Sequence, residues 1–241
     1  MMNDLWLYLK EEAAGEDIQL SDRQIGQFRM FYEYLVEKNK VMNLTAITEL
    51  PEVIRKHFLD SLLLVRVHTP QKEEKILDLG TGAGFPGIPL KIAFPDTEFI
   101  LADSLRKRIN FIDEVIEQCS LTGIETVHGR AEDLAQDPRW REQFDVCVSR
   151  AVAGLPVLSE YCLPFVKEKG CFITYKSETI DTEIQESSAA LRILGGKIET
   201  CEKYNLPGSD EKRSLTVIRK IHATPKKYPR KAGTPSKVPL K

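Results

Sequence analysis

One stretch constrains this chain more than any other: Lys75-Ile-Leu-Asp-Leu-Gly-Thr-Gly-Ala-Gly-Phe-Pro-Gly87. It opens as a short apolar strand, Ile76–Leu79, and passes into a turn carrying Gly80, Gly82 and Gly84. Beyond Phe85 and Pro86 comes an apolar-periodic run, with Ile88, Leu90, Ile92, Ala93 and Phe94. Strand, tight glycine turn and helix together bring a ligand against backbone N–H groups at a helix N-terminus. Glycine is required where a side chain would block the turn or the close approach. The spacing excludes the dinucleotide fingerprint G-x-G-x-x-G, because the sixth place counted from Gly80 is Phe85.

What is present is Asp-x-Gly-x-Gly-x-Gly over residues 78–84. This resembles motif I of the class I S-adenosylmethionine (SAM)-dependent methyltransferases. From Lys75 on, strands and helices alternate. Strand 76–79 precedes helix 86–94, strand 98–102 precedes helix 104–121, and strand 125–128 precedes Gly129–Leu134. Strand 144–149 precedes helix 155–166, and strand 171–176 precedes helix 180–193. Repeated βα units predict a parallel sheet with helices on both faces. Two last strands, near 197–204 and 213–221, are joined by turn residues 205–210 with no helix between, so the final strand runs antiparallel to its neighbour. The expected fold is α/β, with a seven-stranded Rossmann-like sheet ending in an antiparallel hairpin, as in class I methyltransferases.

Residues 1–70 read as a helical extension, 71–221 as the methyltransferase domain and 222–241 as a tail. In the extension, Ser21 is an N-cap with Gln24 three residues on. The next run (Ile25, Phe28, Phe31, Tyr34, Leu35) has the spacing of an amphipathic helix. A turn segment, Asn39–Thr48, leads to a helical pattern from about Leu50 to Val67 that holds His57 and Asp60, which share one face.

Charge separates the tail from the body. The chain's net −2 includes six basic residues and no acid in 222–241, leaving −8 for residues 1–221. An acidic body with a basic tail suggests a local anionic partner. The five cysteines are scattered and odd in number, with no Cys-x-x-Cys pair, so neither a disulfide framework nor a metal site is expected and a reducing cytoplasm fits. No signal peptide and no membrane-spanning run is read.

Ligands of open α/β sheets sit at the carboxyl ends of the strands. Those ends supply Gly80–Gly84, then Asp103, then Ala131 and Glu132, then Ser149, Arg150 and Ala151. Asp103 lies 23 residues beyond Gly80; it suits ribose hydroxyls or a helix N-cap, or both. The fourth position lacks the [Asp/Asn]-Pro-Pro-[Tyr/Phe] motif of exocyclic-amine enzymes, and Cys147 alternates into the core rather than standing as a nucleophile. Guanine N7 needs neither, since its lone pair is already nucleophilic. Arg150 could hold a guanine edge, a phosphate or the SAM carboxylate.

Four segments coincide: Asn39-x-x-x-Asn43-Leu-Thr45, His57-Phe-Leu-Asp60-Ser61-Leu62, Asp78–Gly87, and Val148-Ser-Arg150-Ala. With Asp103-Ser-x-x-Lys107-Arg108 they resemble the RsmG family, also called GidB, and the tail Pro225–Pro235 is similar to the form in Gram-positive members. The resemblance implies a bacterial enzyme transferring a methyl from SAM to N7 of a guanine in 16S rRNA. It implies SAM contacts at Gly80, Phe85, Ala131, Glu132 and Arg150, to which the glycine loop adds Gly82 and Gly84 and the second strand end adds Asp103. Arg150 is the expected catalytic residue. The expected partner is 16S rRNA or the small ribosomal subunit, with no membrane, and the chain is expected to be a monomer. Prolines around Tyr228 predict an extended tail in which Lys226, Lys227, Arg230 and Lys231 meet phosphates while Tyr228 stacks on a base. A SAM fold that binds RNA without catalysis, and a small-molecule methyltransferase, are the competing readings.

Overall fold

A computed structural model describes residues 2–150 and 153–241. Helices α1 (Met2–Gly15) and α2 (Asp22–Met42) come first. A continuous helical run then changes character along its length: α3 (Leu50–Val53), a π-helical turn (Ile54–Leu59), α4 (Asp60–Leu62) and a 3₁₀ turn (Leu63–Arg66). The sheet is built from β1 (Lys75–Leu79), β2 (Glu98–Asp103), β3 (Ile124–His128), β4 (Phe144–Arg150), β5 (Val166–Ser177), β6 (Gly196–Asn205) and β7 (Lys212–Lys220). Between the strands lie α5 (Gly87–Ala93), α6 (Arg106–Gln118), α7 (Ala131–Leu134), α8 (Leu155–Cys162) and α9 (Ile180–Leu194), and α10 (Thr234–Lys237) stands in the tail.

The strand order is β3-β2-β1-β4-β5-β7-β6. The first five strands are parallel; β7 runs antiparallel to both β5 and β6. The order reverses between β1 and β4, which sets the crevice above their carboxyl ends as the place for a ligand. Successive strand residues feed opposite faces. Ile76, Phe99, Leu101, Val146 and Val148 pack under α1, α2, α5, α6 and the Leu50–Arg66 run, whereas Leu77, Cys147, Phe172 and Ile218 pack under α8 and α9. The N-terminal helices therefore share a core with the sheet.

Local signals explain the joints. Ser21 and Gln24 form the reciprocal capping box of α2. Gln24 also donates from Nε2 to the Ile92 carbonyl at 2.8 Å and the Ala93 carbonyl at 3.2 Å, tying α2 to the end of α5. β5 starts five residues earlier than the apolar run at 171 suggests, because Lys167-Glu-Lys-Gly170 reads as a turn. Gly170 makes the early start possible: a β-carbon there would stand 2.5 Å from the Asp145 carbonyl. Helix α8 stops at Cys162, since Pro164 offers no N–H and the chain tightens to a 3₁₀ turn.

The tail departs from the expected extended form. Tyr228 is buried among the side chains of the α8–α9 face and Pro229 beside it is buried too. The segment then folds back to α10, against α8. Its prolines shape turns against the body rather than holding the chain away from it.

Ser21→Ala should cost about 1 kcal/mol of stability, the usual cost of losing a cap. Gln24→Ala loses the cap's return bond and the tie to α5, and should cost about 2 kcal/mol; urea melts that rank the two equally would contradict the tie.

Candidate active site

The four strand ends converge on one cavity of about 560 Å³, within the range of small-molecule sites. Gly80, Gly82, Phe85, Asp103, Ala131, Glu132, Ser149 and Arg150 all line it. Gly84 does not: with φ at +90°, it faces the core, where a β-carbon would meet Ile88 Cγ1 at 2.6 Å. Its role is to let the loop turn. Ala151 lies outside the described residues.

The glycine loop is held from below. Asp78 is fully buried and its Oδ2 accepts bonds from the Thr81 hydroxyl at 2.7 Å and the Gly87 N–H at 2.8 Å. Burial raises this carboxyl to about 6, against the lowering effect of those two bonds. The loop's other edge is fixed by Asp103, whose Oδ2 accepts from the Gly82 N–H at 3.0 Å and whose Oδ1 accepts from the Leu105 N–H at 2.8 Å. Arg108 donates to Oδ2 at 3.2 Å. Asp103 is not the N-cap of α6, which is Leu105 with no side-chain cap; it holds the turn before that helix and also faces the cavity. A carboxylate has about four acceptor positions and three are taken, so about one is left for a hydroxyl of a ligand.

The opposite wall is built on Arg150. Its Nη1 donates to Asp60 Oδ2 at 3.0 Å and to the Lys56 carbonyl at 3.1 Å; its Nη2 stands 3.3 Å from His57 Nδ1. Its guanidinium lies 5.1 Å from the Phe85 ring centre, and His57 stacks on the same ring at 4.4 Å. The π-helical turn explains how one helix supplies three partners. Widening the turn over Ile54–Leu59 places the Lys56 carbonyl, His57 and Asp60 toward one guanidinium, and such turns recur at functional sites. Asp60 also accepts from the Tyr204 hydroxyl at 3.2 Å, reaching from β6. Burial pushes the Asp60 carboxyl up, opposed by Arg150.

His57 Nε2 meets Thr45 Oγ1 at 2.9 Å. Nδ1 also stands 3.1 Å from the Lys56 carbonyl, which can only accept, while Arg150 can only donate, so the two neighbours of Nδ1 call for opposite tautomers. Burial, and then the Arg150 charge, push His57 down to about 3, so the ring is neutral near pH 7. Thr45 is placed by Asn39, whose Oδ1 accepts from the Leu44 and Thr45 N–H groups at 2.6 and 2.9 Å and whose Nδ2 donates to the Thr45 carbonyl. Asn43 is not a cavity residue; it closes α2 in the left-handed region at φ 51°. Cys147 is buried, its thiol pushed well above the ordinary value by burial, which removes it as a nucleophile.

Several lining residues escape sequence reasoning: Leu44, Thr45, Arg108, Tyr161, and Gly233 and Ser236 from the tail. In the sequence the Asn39–Thr45 segment shows turn chemistry and a family resemblance, but not the clamp that aims Thr45 at His57. Of the tail residues, Lys226, Lys227 and Lys231 are exposed. Tyr228 is buried, and Arg230 is paired with buried Glu160 at 2.6 Å. In this arrangement neither is free to stack on a base or meet a phosphate.

The GidB family pattern, described as rRNA small subunit methyltransferase G, matches residues 24–215. The chain belongs to the GidB family. It is 52% identical over 223 residues to the ribosomal RNA small subunit methyltransferase G of Lachnoclostridium phytofermentans, covering 92% of each chain. It is 52% identical over 232 residues to the protein of that name from Acetivibrio thermocellus, covering 96% of this chain and 95% of the relative. Among solved structures, precorrin-6y C5,15-methyltransferase from Geobacter metallireducens is similar in fold alone, with a TM-score of 0.50 at 15% identity, over 75% of this chain and 92% of that one. The GidB segments in the sequence are now spatially explained. Asn39–Thr45, His57–Leu62, Asp78–Gly87 and the end of β4 meet around Arg150 and Phe85. Among the described residues no helix is long and apolar enough to cross a membrane, and no cluster of three or more His, Cys, Asp or Glu could hold a metal ion.

Gly82→Val should abolish cofactor binding: the backbone stands at φ +63°, which a β-branched residue resists, and the side chain would grow into the cavity from a β-carbon 4.0 Å from the Gly80 carbonyl. Calorimetry showing normal binding would contradict this placement. Acidification tests His57. Its folded value lies below the unfolded one, so stability is complete above about 6.5 and is lost as pH falls toward 3. Asp78, raised to about 6, works in the opposite direction by taking up its proton earlier in the folded state. Comparing the wild type with His57→Gln cancels the Asp78 contribution, and the variant should lose less melting temperature between pH 7 and pH 5. Parallel curves would contradict a buried neutral His57.

Proposed function

We propose that this chain is a SAM-dependent methyltransferase that methylates N7 of a guanine in 16S rRNA of the small ribosomal subunit. The observation that carries the proposal is the convergence of four strand ends on a single cavity with the Arg150–His57–Phe85 wall opposite the glycine loop. The residues fit the cofactor. The loop from Gly80 to Gly82 would offer backbone to its amino-acid part, Asp103 retains about one acceptor position for a ribose hydroxyl, and Ala131 with Glu132 would flank the adenine. Bound there, SAM supplies an electrophilic methyl group.

The chain's own residues have a positioning task. N7 carries its lone pair in the neutral base, so no proton is removed before attack. A His57 lowered to about 3 is a poor base and suits this chemistry. Arg150 is fixed by Asp60 and the Lys56 carbonyl, and its guanidinium is offered as the donor to guanine O6 or to a phosphate beside it, which leaves the N7 lone pair free. Orientation of this kind is a proximity effect. Exposed Lys226, Lys227 and Lys231 support contact with RNA phosphates.

The deciding experiment is incubation with tritiated SAM and either intact small subunits or naked rRNA, then mapping of the labelled base. Label at guanine N7 is expected; no label in either substrate favours a binding protein, and label at an exocyclic amine refutes N7 chemistry. Arg150→Ala should lower turnover about 100-fold while the protein stays folded; near-normal turnover would remove Arg150 from the site. Replacing Lys226, Lys227 and Lys231 together by Ala should reduce the salt slope of RNA binding by about 2.

A further inference from the structure

The tail carries more fixed contacts than a solvated terminus needs. Its first anchor is Thr224. The hydroxyl donates to the Leu194 carbonyl at 2.8 Å and receives the buried Lys220 ammonium at 2.7 Å, while its N–H donates to Glu142 at 2.9 Å. Arg141 then gathers the segment, donating to the Thr224 carbonyl at 2.7 Å and the Tyr228 carbonyl at 2.9 Å. The next anchor is Arg230. Its backbone N–H and Nε donate to Glu160 Oε1 at 2.8 and 2.9 Å, and its Nη2 donates to Oε2 at 2.6 Å. Glu160 has no exposed surface, so Arg230 satisfies a carboxylate that would otherwise be buried without a cation.

Beyond Arg230 the chain reaches the cavity. The Gly233 N–H donates to Glu132 Oε1 at 2.9 Å, and the Ser236 and Tyr161 hydroxyls bond at 2.8 Å. Gly233 and Ser236 line the same cavity as Ala131 and Glu132. The carboxylate expected to flank the adenine is therefore oriented by the tail, and the tail supplies surface beside it.

We propose that residues 224–240 form a strap that completes the Ala131–Glu132 end of the cofactor pocket, with the Arg230–Glu160 pair as its latch. Arg230 and Glu160 are positioning residues acting through Gly233 and Glu132. The strap sets cofactor affinity, and the exposed lysines along it are a separate feature. This inference rests on the reading of the cavity as the SAM site.

The test is calorimetric SAM binding by the full-length protein, a chain ending at Lys231, and Glu160→Gln. The shortened chain keeps Thr224, Tyr228 and Arg230 but loses Gly233 and Ser236. Its SAM affinity should fall roughly 10-fold, with the melting temperature little changed. In methylation assays KM for SAM should rise while kcat at saturating SAM holds, the signature of lost uniform binding. Glu160→Gln, which keeps the shape and loosens the latch, should show a smaller rise in KM. Equal SAM affinity in the full-length and shortened chains would overturn the strap. No SAM binding by the full-length chain would instead overturn the cofactor reading, and the strap with it.

Discussion

The site depends on one buried ion pair. Arg150 stands at the end of β4, its side chain 14% exposed, and Asp60 opposite it is 6% exposed. A charge in such surroundings must be paired and hydrogen-bonded or it destabilises the fold by several kcal/mol. Among the described residues, the hydrogen-bond partners of the Arg150 guanidinium come from the Lys56–Asp60 stretch of the N-terminal helical run. That requirement fixes where the run sits on the sheet, and it explains why the run leaves α-helical geometry over Ile54–Leu59. The N-terminal helical run is thereby a wall of the cavity as well as a cover for the sheet. Tyr204 extends the same network to the terminal hairpin.

The two walls differ in how they are held. The glycine-loop wall is backbone fixed by two carboxylates, Asp78 beneath the turn and Asp103 beside it. Its chemistry is local in sequence and suited to a ligand shared by many folds of this class. The Arg150 wall is side chains fixed across long sequence separations.

Legibility in the sequence tracked that division. The βα alternation, the hairpin and the four strand ends could be read because periodicity and turn residues act within a few positions. The Ser21–Gln24 capping box was legible for the same reason. The π-helical turn was not, because its register is set by Arg150, over ninety residues away. Thr45 was read as turn chemistry, since the Asn39 clamp that aims it at His57 is visible only with the loop folded. The tail misled for a physical reason: proline and lysine favour an extended solvated chain, yet a buried Glu160 and an apolar socket for Tyr228 override that preference. Composition reports the tail's charge and says nothing of the carboxylate waiting for it.

The central claim is that the Asp60–Arg150 pair holds the target-facing wall in register with the cofactor loop. Single-turnover methylation by Asp60→Asn at saturating SAM tests it most directly. Asparagine keeps the shape and an acceptor while removing the charge. The account predicts a methyl-transfer rate about 100-fold below wild type, with SAM affinity unchanged and the protein folded. An unchanged rate, or a loss explained wholly by weaker SAM binding, would contradict it.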